Sequence, residues 1–422
     1  MADPTVTADD VARVFRAEAG RAIATIARVL GDVAAAEDAV QEAFVVALRR
    51  WPAGGLPAKP GAWITTTARN KALDVARRES RRPDHERRAA REALEATAPV
   101  FHPVADDQLR LLFTCCHPAL APESRVALTL RLVCGLRVEE IARALLQSTP
   151  AVARRLHRAK AKIRTAGIPL RVPPPELLDE RVASVLDCIY LTFTEGYAAS
   201  AGDELIRHEL CDEAIRVARL LADLLADDAG AAALLALLLL QDSRRAARLD
   251  DDGEIVLLEH QDRRRWDHDR VAEGLQRLGR VGERTAVSAR AASYLLQALI
   301  AAEHARAPSW EHTDWAAIVR HYDRLAALTR SPVVLVNRAV AVSFADGPAV
   351  ALPQLERLAD DPRLAGAHQL HIARADVHRR LGRPAEAAAL YRQALALAAT
   401  KPERSFLERR VAELDPSPPD GA

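Results

Sequence analysis

Glycine is scarce in this chain, at 18 of 422 residues, and Phe, Trp and Tyr together make up only 4%. Strands draw on aromatic and β-branched residues, and tight hairpins draw on glycine. A chain poor in both and rich in Ala, Leu and Arg is suited to helices. The expected fold is therefore all-α. Long apolar runs are missing too. The longest, Ala229 to Leu240, falls short of the ~18 residues that a membrane-spanning helix needs. Met1-Ala-Asp-Pro-Thr5 carries neither a basic stretch nor an apolar core, so no secretory leader is expected. The five cysteines, 115, 116, 134, 188 and 211, are odd in number and show no CxxC spacing. That disfavours a disulfide framework and fits a reducing, cytoplasmic location. No P-loop, GxSxG or supported pair of carboxylates occurs. The expectation is a protein that is not an enzyme and needs no cofactor or metal.

What is present has a direction. Hydrophobic residues reach 49% and charged residues 28%, enough for cores and a solvated surface. The length points to two to four domains at ~100–200 residues each. The net charge of +1 conceals an asymmetry. Residues 1–170 hold 27 Lys and Arg against 19 Asp and Glu, net +8, and the remainder is net −7. A basic front half on an acidic back half points to a nucleic-acid-binding module with a differently tasked extension.

Periodicity places the elements. A first helix starts after Thr7 and carries Ile23, Ile26 and Leu30 in one stripe, ending at Gly31. A second follows Asp32, with Val40, Ala43, Phe44, Ala47 and Leu48 facing inward and Glu37, Asp38, Gln41 and Glu42 on the other side. The Pro/Gly loop 52–61 breaks the pattern. A third helix, 62–79, turns Ile64, Ala68, Ala72 and Val75 to a core, with Thr66, Thr67, Asn70, Asp74 and Arg77 opposite. Residues 80–105, rich in Arg and Glu and interrupted by Pro83, Pro99 and Pro103, read as a linker. A second helical cluster follows to Ala166, and Pro173-Pro-Pro175 marks the next boundary.

The sharpest motif spans 137–164. Val138, Ile141, Ala142 and Leu145 form the inner face of a short helix. Leu146–Ser148 is a turn, and Thr149 caps a second helix with Pro150 at its first position. Val152, Leu156, Ala159 and Ile163 face inward, which leaves Arg154, Arg155, Arg158 and Lys162 outward. No acidic residue balances them between 151 and 164. Two short helices, a tight turn and a cationic exposed second helix describe a helix-turn-helix that reads DNA in the major groove. A merely solvated bundle helix is the competing reading.

The 62–79 helix mixes Arg69, Asn70, Lys71, Arg77 and Arg78 with hydroxyls beside Trp63, a mixture suited to holding a single strand. An ordinary surface helix with Trp63 packed inside reads the same way. The strip Glu37, Asp38, Gln41, Glu42 beside Val45 and Val46 offers an apolar patch rimmed by acid, suited to a protein partner. On its own it is equally a solvated face.

In order, Asp38-Ala-Val-Gln-Glu-Ala-Phe44, Pro60-Gly-Ala-Trp-Ile-Thr-Thr-Thr-Ala-Arg-Asn-Lys-Ala-Leu-Asp74 and the helix-turn-helix resemble the extracytoplasmic-function sigma factors of bacterial RNA polymerase. The resemblance covers about residues 8–165. It implies region 2 over 1–80, a linker over 81–105 that threads through the polymerase, and region 4 over 106–167. Core RNA polymerase and promoter DNA are the implied partners. Asp38, Gln41, Glu42 and Val45 would dock on polymerase. Lys59, Thr66, Arg69, Asn70, Lys71, Arg77 and Arg78 would capture the minus-ten element. Ser148, Thr149, Ala151, Arg154, Arg155, Arg158 and Lys162 would read the minus-thirty-five element.

Typical members end soon after region 4, whereas this chain continues through 168–422. The extension resembles the subgroup with a tetratricopeptide-like C-terminal domain, through Phe193-Thr-Glu-Gly-Tyr197, Leu258-Glu-His-Gln-Asp-Arg-Arg-Arg-Trp266, Thr313-Asp-Trp315 and Asn337-Arg-Ala-Val-Ala-Val342. Ala375, Leu381-Gly382, Ala387, Tyr391 and Ala394-Leu395 match part of the repeat pattern. A regulatory role and an unidentified protein or small-molecule partner are implied. The alternative is an operator-binding helix-turn-helix regulator on a repeat scaffold. Cys115-Cys116-His117 and the group His260, Asp262, Asp267, His268 and Asp269 are weaker candidates. They read as buried thiols and as ion-paired surface.

Overall fold

The computed structural model describes residues 6–79, 104–145, 147–199, 204–282 and 288–414. Their regular elements are helices, and the one β feature among them is an isolated bridge between Leu249 and Ile255. The chain divides into two compact units, 1–192 and 193–422.

In the first unit α1 (Ala8–Leu30), α2 (Val33–Gly54) and α3 (Pro60–Glu79) pack on one another. Thr7 and Asp10 form a reciprocal capping box at the start of α1, and Gly31 ends it in the left-handed conformation at φ 68°. Asp32 caps α2 through the amides of Ala34 and Ala35. The inward face of α2 is Val33, Ala36, Val40, Ala43, Phe44, Ala47 and Trp51, all buried. Phe44 meets Phe15 edge-on, with centroids 4.2 Å apart. Leu48, expected inside, is 47% exposed. It stands four residues from Phe44 but at the edge of the stripe, where no neighbouring helix covers it.

The predicted linker lies outside the described residues over 80–103, and its last two positions already belong to α4 (Val104–Cys115). Then come α5 (Pro122–Leu128), a π-helical turn (Thr129–Val133), α6 (Val138–Ala144) and α7 (Thr149–Thr165). The helix α8 (Pro175–Tyr197) packs back onto this cluster. Arg181 Nη2 donates to the Phe113 carbonyl at 3.1 Å, and Ser184 Oγ donates to the Cys116 carbonyl at 2.8 Å. Arg125 straps the same corner, donating to Leu120 O, Pro118 O and Ser184 Oγ, each at 2.8 Å. The first compact unit thus runs beyond the three prolines, to residue 192.

The second unit is a succession of paired helices: α9 (His208–Leu224), α10 (Ala229–Asp242), α11 (His268–Gly282), α12 (Ala289–Arg306), α13 (Trp315–Thr329), α14 (Pro332–Ala345), α15 (Pro348–Leu358), α16 (His368–Arg380), α17 (Pro384–Leu397) and α18 (Lys401–Leu414). From α12 onward each helix packs on the next. Ala375, Ala387, Tyr391 and Ala394 are buried around Phe406 and Leu407, and Gly382 takes φ 71° between α16 and α17. The helix α10, apolar on every side, is buried through Ala233–Leu240. No described helix is long and apolar enough to cross a membrane.

Candidate nucleic-acid interface

The helix-turn-helix forms as α6 and α7. Its cap is Ser148 rather than Thr149: the Ser148 hydroxyl accepts from the Ala151 amide, and Thr149 and Pro150 open the first turn. Val152, Leu156, Ala159 and Ile163 are buried. Arg154, Arg158 and Lys162 are exposed along the opposite face, as are Ser148 and Thr149 near the start of the helix, with Ala151 half-buried. Arg155 differs from its neighbours. It is half-buried and donates to Gln147 Oε1 at 2.8 Å, which holds the turn to the helix. The resulting face is a row of guanidinium and ammonium groups with no carboxylate between 151 and 164. That is the electrostatic footprint of a phosphate-binding surface.

On α3, Ile64, Ala68 and Ala72 are buried as expected, while Lys59, Thr66 and Asn70 are exposed and Arg69 is half-buried. Trp63 is half-buried and meets Trp51 edge-on, with centroids 5.3 Å apart. Lys71 reaches Glu42 of α2 at 3.8 Å, so the expected DNA face and the expected protein-docking face adjoin. The side chains of Val75, Arg77 and Arg78 lie outside the described residues.

On α2, Asp38 and Glu42 are exposed, and Val45 is 47% exposed next to the equally exposed Leu48. This is an apolar pair rimmed by acid. Val46, expected beside them on the surface, is half-buried. Partial burial pushes the Asp38 carboxyl up, against the pull of Lys160 and with the help of Glu37, Asp32 and Glu42. Gln41 is half-buried, and its amide donates to Glu37 Oε1 at 2.8 Å.

Glu37 itself is not part of the surface strip. It is 3% exposed and points into the second helical cluster. Arg131 Nε donates to Glu37 Oε1 at 2.6 Å, and Lys160 Nζ donates to Oε2 at 2.8 Å. Burial alone would raise its pKa, but Arg131 and then Lys160 outweigh burial and hold the carboxylate below its ordinary range. Arg131 sits on the π-helical turn and also donates to the Leu136 carbonyl at 2.9 Å. Two more ion pairs join the same halves, Arg28 to Asp107 at 3.0 Å and Arg164 to Asp32 at 3.8 Å. At Gly20 of α1 an added Cβ would lie 2.2 Å from the Val133 carbonyl oxygen. The backbones therefore touch there, and only glycine permits it.

Glu37, Arg131 and Lys160 are the residues that sequence reasoning missed as a set. One signal for Glu37 was present. Position 37 lies four residues after Val33, three before Val40 and seven before Phe44, on the inward stripe. Its partners, 94 and 123 residues away, carry no comparable mark.

The weaker candidates have ordinary surroundings. All five cysteines are buried and free, and Cys116 Sγ lies 3.4 Å from Thr129 Oγ1. Asp262 pairs with Arg264 at 2.9 Å and Asp267 with Arg270 at 3.2 Å. Among the described residues no group of His, Cys, Asp and Glu is arranged to hold a metal ion.

Comparison with known proteins agrees with this layout. Residues 14–82 match the family Sigma-70 region 2, and residues 110–163 match Sigma-70 region 4. Residues 181–282 match a family of unknown function, DUF6596. An uncharacterized protein of Rhizobium meliloti is 41% identical over 404 residues, 94% of each chain. A probable ECF RNA polymerase sigma factor of Mycobacterium tuberculosis, SigI, is 28% identical over 173 residues, covering 40% of this chain and 59% of that protein.

Proposed function

We propose, on the premise that this chain belongs to one family with the Rhizobium meliloti protein and is built on sigma-70 regions 2 and 4, that it is an extracytoplasmic-function sigma factor. It acts in the cytoplasm, binds core RNA polymerase and directs it to promoters, and it makes no bond itself. The acid-rimmed pair Val45 and Leu48 with Asp38, Gln41 and Glu42 docks on polymerase. The α3 set Lys59, Thr66, Arg69, Asn70, Lys71, Arg77 and Arg78 takes the minus-ten element. The α7 set Ser148, Thr149, Ala151, Arg154, Arg155, Arg158 and Lys162 takes the minus-thirty-five element. The C-terminal helices, read as a tetratricopeptide-like domain, regulate that activity.

The observation that carries this reading is the α7 surface, an exposed cationic face on the second helix of a helix-turn-helix that follows region 2 in the same chain. Geometry adds a requirement. The two promoter elements are centred about 25 base pairs apart, roughly 85 Å along B-form DNA at ~3.4 Å per base pair. Regions 2 and 4, joined here at 2.6 and 2.8 Å through Glu37, cannot span that distance. The closed arrangement is the waiting form, and promoter engagement separates the halves.

Run-off transcription from fragmented genomic DNA with purified core polymerase tests the function. New start sites sharing two upstream elements are expected, and Arg154→Glu with Arg158→Glu should abolish them while polymerase still binds. Promoter use that survives this double reversal would remove the α7 assignment. Asp38→Lys with Glu42→Lys should instead weaken polymerase binding, and unchanged affinity would remove the docking assignment.

A further inference from the structure

Positive charge gathers around Trp266 in the second unit, and among the described residues no carboxylate forms an ion pair with Arg244 or Arg263. Trp266 is buried, 5% exposed, at the end of the turn Arg263–Arg265. The Arg263 guanidinium carbon lies 4.6 Å from the indole centroid and that of Arg244 lies 5.9 Å away. Arg263 Nη1 donates to the carbonyls of His304 and Ala307, which ties the turn to the end of α12. The His304 ring stacks on Trp310 with centroids 6.2 Å apart and meets Trp315 edge-on at 5.3 Å. Together these residues form one contiguous basic and aromatic cluster.

The neighbouring arginines show what is unusual here. Arg264 pairs with Asp262 at 2.9 Å, Arg265 with Asp251 at 3.9 Å, and Arg245 with Asp242 and Asp212 at 2.6 and 2.8 Å. Arg244 and Arg263 have no such ion pair among the described residues. Glu311, the acid that acts on Arg263 from a distance, is exposed and accepts from Ser309 Oγ at 2.6 Å. Three side-chain nitrogens in the cluster, Arg263 Nη2, Trp266 Nε1 and His304 Nδ1, are buried with no hydrogen-bond partner among the described residues. Buried donors are almost always satisfied, and buried guanidiniums almost always face an anion.

We propose that Arg244, Arg263, Trp266 and His304 form a binding site for a small oxyanion, the carboxylate or phosphate group of a metabolite. The two guanidiniums supply the charge and a forked set of donors. Trp266 Nε1 supplies a further donor, and the rings of Trp310 and Trp315 hold the His304 ring in place. His304 Nδ1 can donate or accept according to its tautomer. The inference rests on the second unit alone. Its test requires no polymerase, so its failure and that of the sigma reading are separable.

The test is a titration of the full-length protein with sodium phosphate and, separately, sodium acetate, at ionic strength held constant with sodium chloride. Tryptophan fluorescence and the unfolding temperature are the readouts. A saturable response to either oxyanion, with a rise in Tm, is expected. Phosphate alone would identify a phosphorylated ligand, and acetate alone a carboxylate. Arg244→Gln should weaken the midpoint at least about tenfold, as expected for losing one charged hydrogen-bond donor. No side-chain hydrogen bond of Arg244 to the described residues stands to be lost, so this variant should keep the helical circular dichroism of the parent. Three results would each overturn the proposal: no saturable response to either ion, a response that chloride reproduces, or an unchanged midpoint in Arg244→Gln.

Discussion

The two units each gather a cluster of charges, buried in the first and half-buried in the second, and the clusters are balanced in opposite ways. In the first unit one carboxylate, Glu37, accepts from two cations, Arg131 and Lys160. All three side chains find partners inside the protein. In the second unit two guanidiniums flank Trp266 and no carboxylate pairs with them among the described residues. The difference separates two uses of clustered charge. A cluster that is complete in itself specifies how two pieces of chain fit together. A cluster that is incomplete leaves a requirement that something outside the chain can meet. The first is the mark of a latch and the second the mark of a site.

Breaking the complete cluster should have the largest effect. Glu37→Ala leaves Arg131 and Lys160, whose side chains are only 12% and 20% exposed, without their carboxylate. A loss of about 3–5 kcal/mol is expected, as for other buried pairs deprived of one partner. Urea unfolding of variant and parent measures it, and a loss below ~1 kcal/mol would place the pair among surface ion pairs instead.

Acid sharpens the contrast. Burial first, then Arg244 and Arg263, push the His304 imidazole down to about 3 from its ordinary 6.5. The unfolded chain therefore takes up a proton below pH 6.5 that the folded chain refuses, and stability falls as pH drops from 6.5 toward 3. The loss amounts to at most about 5 kcal/mol. Glu37 has a lowered pKa, so its contribution is present above its ordinary 4.5 and is lost only as pH falls below that value. Stability followed against pH should fall less steeply between 6.5 and 4.5 in His304→Gln than in the parent, the remaining slope coming from His117, His321, His371 and His378, which burial also holds low. Equal slopes in the two proteins would contradict the assignment.

A steric change probes the latch without touching charge. Gly20→Ala places a Cβ against the Val133 carbonyl oxygen, backbone against backbone. It should cost about 1–3 kcal/mol, as overpacking does. It should also raise transcription per bound polymerase if closure restrains activity. Run-off assays at matched polymerase occupancy decide this. The smallest effect is expected at the incomplete cluster. Without added oxyanion, Arg244→Gln removes one of two repelling cations and should raise stability by up to about 1 kcal/mol, seen as a small increase in Tm. A decrease would show that Arg244 is already neutralised.

Much of this architecture was legible in residue spacing. The inward stripes of α2, α3 and α7 and the outward Arg154, Arg158 and Lys162 follow from a period of 3.6. Composition already favoured helices over sheets. The misreadings share a physical cause. Leu48 satisfies the period of α2 but sits where no neighbouring helix reaches, and no periodicity reveals where neighbours end. Glu37 also fits the stripe, but a carboxylate on an apolar face reads as surface unless its cations are known. Those come from a π-helical turn and from α7, elements whose proximity only the folded chain establishes. Ser148 and Thr149 are both competent caps, and the backbone angles of Ser148, φ −71° and ψ 143°, decide between them.

The most direct test of the account is the distance between regions 2 and 4 in the free and the engaged protein. Dyes at Arg50→Cys on α2 and Thr165→Cys at the end of α7 would report it by energy transfer. Both positions are exposed, and the five native cysteines are buried. High transfer is expected in the free protein, with its collapse when core polymerase and a promoter fragment from the transcription assay are added together. Transfer that stays unchanged on adding both would contradict it.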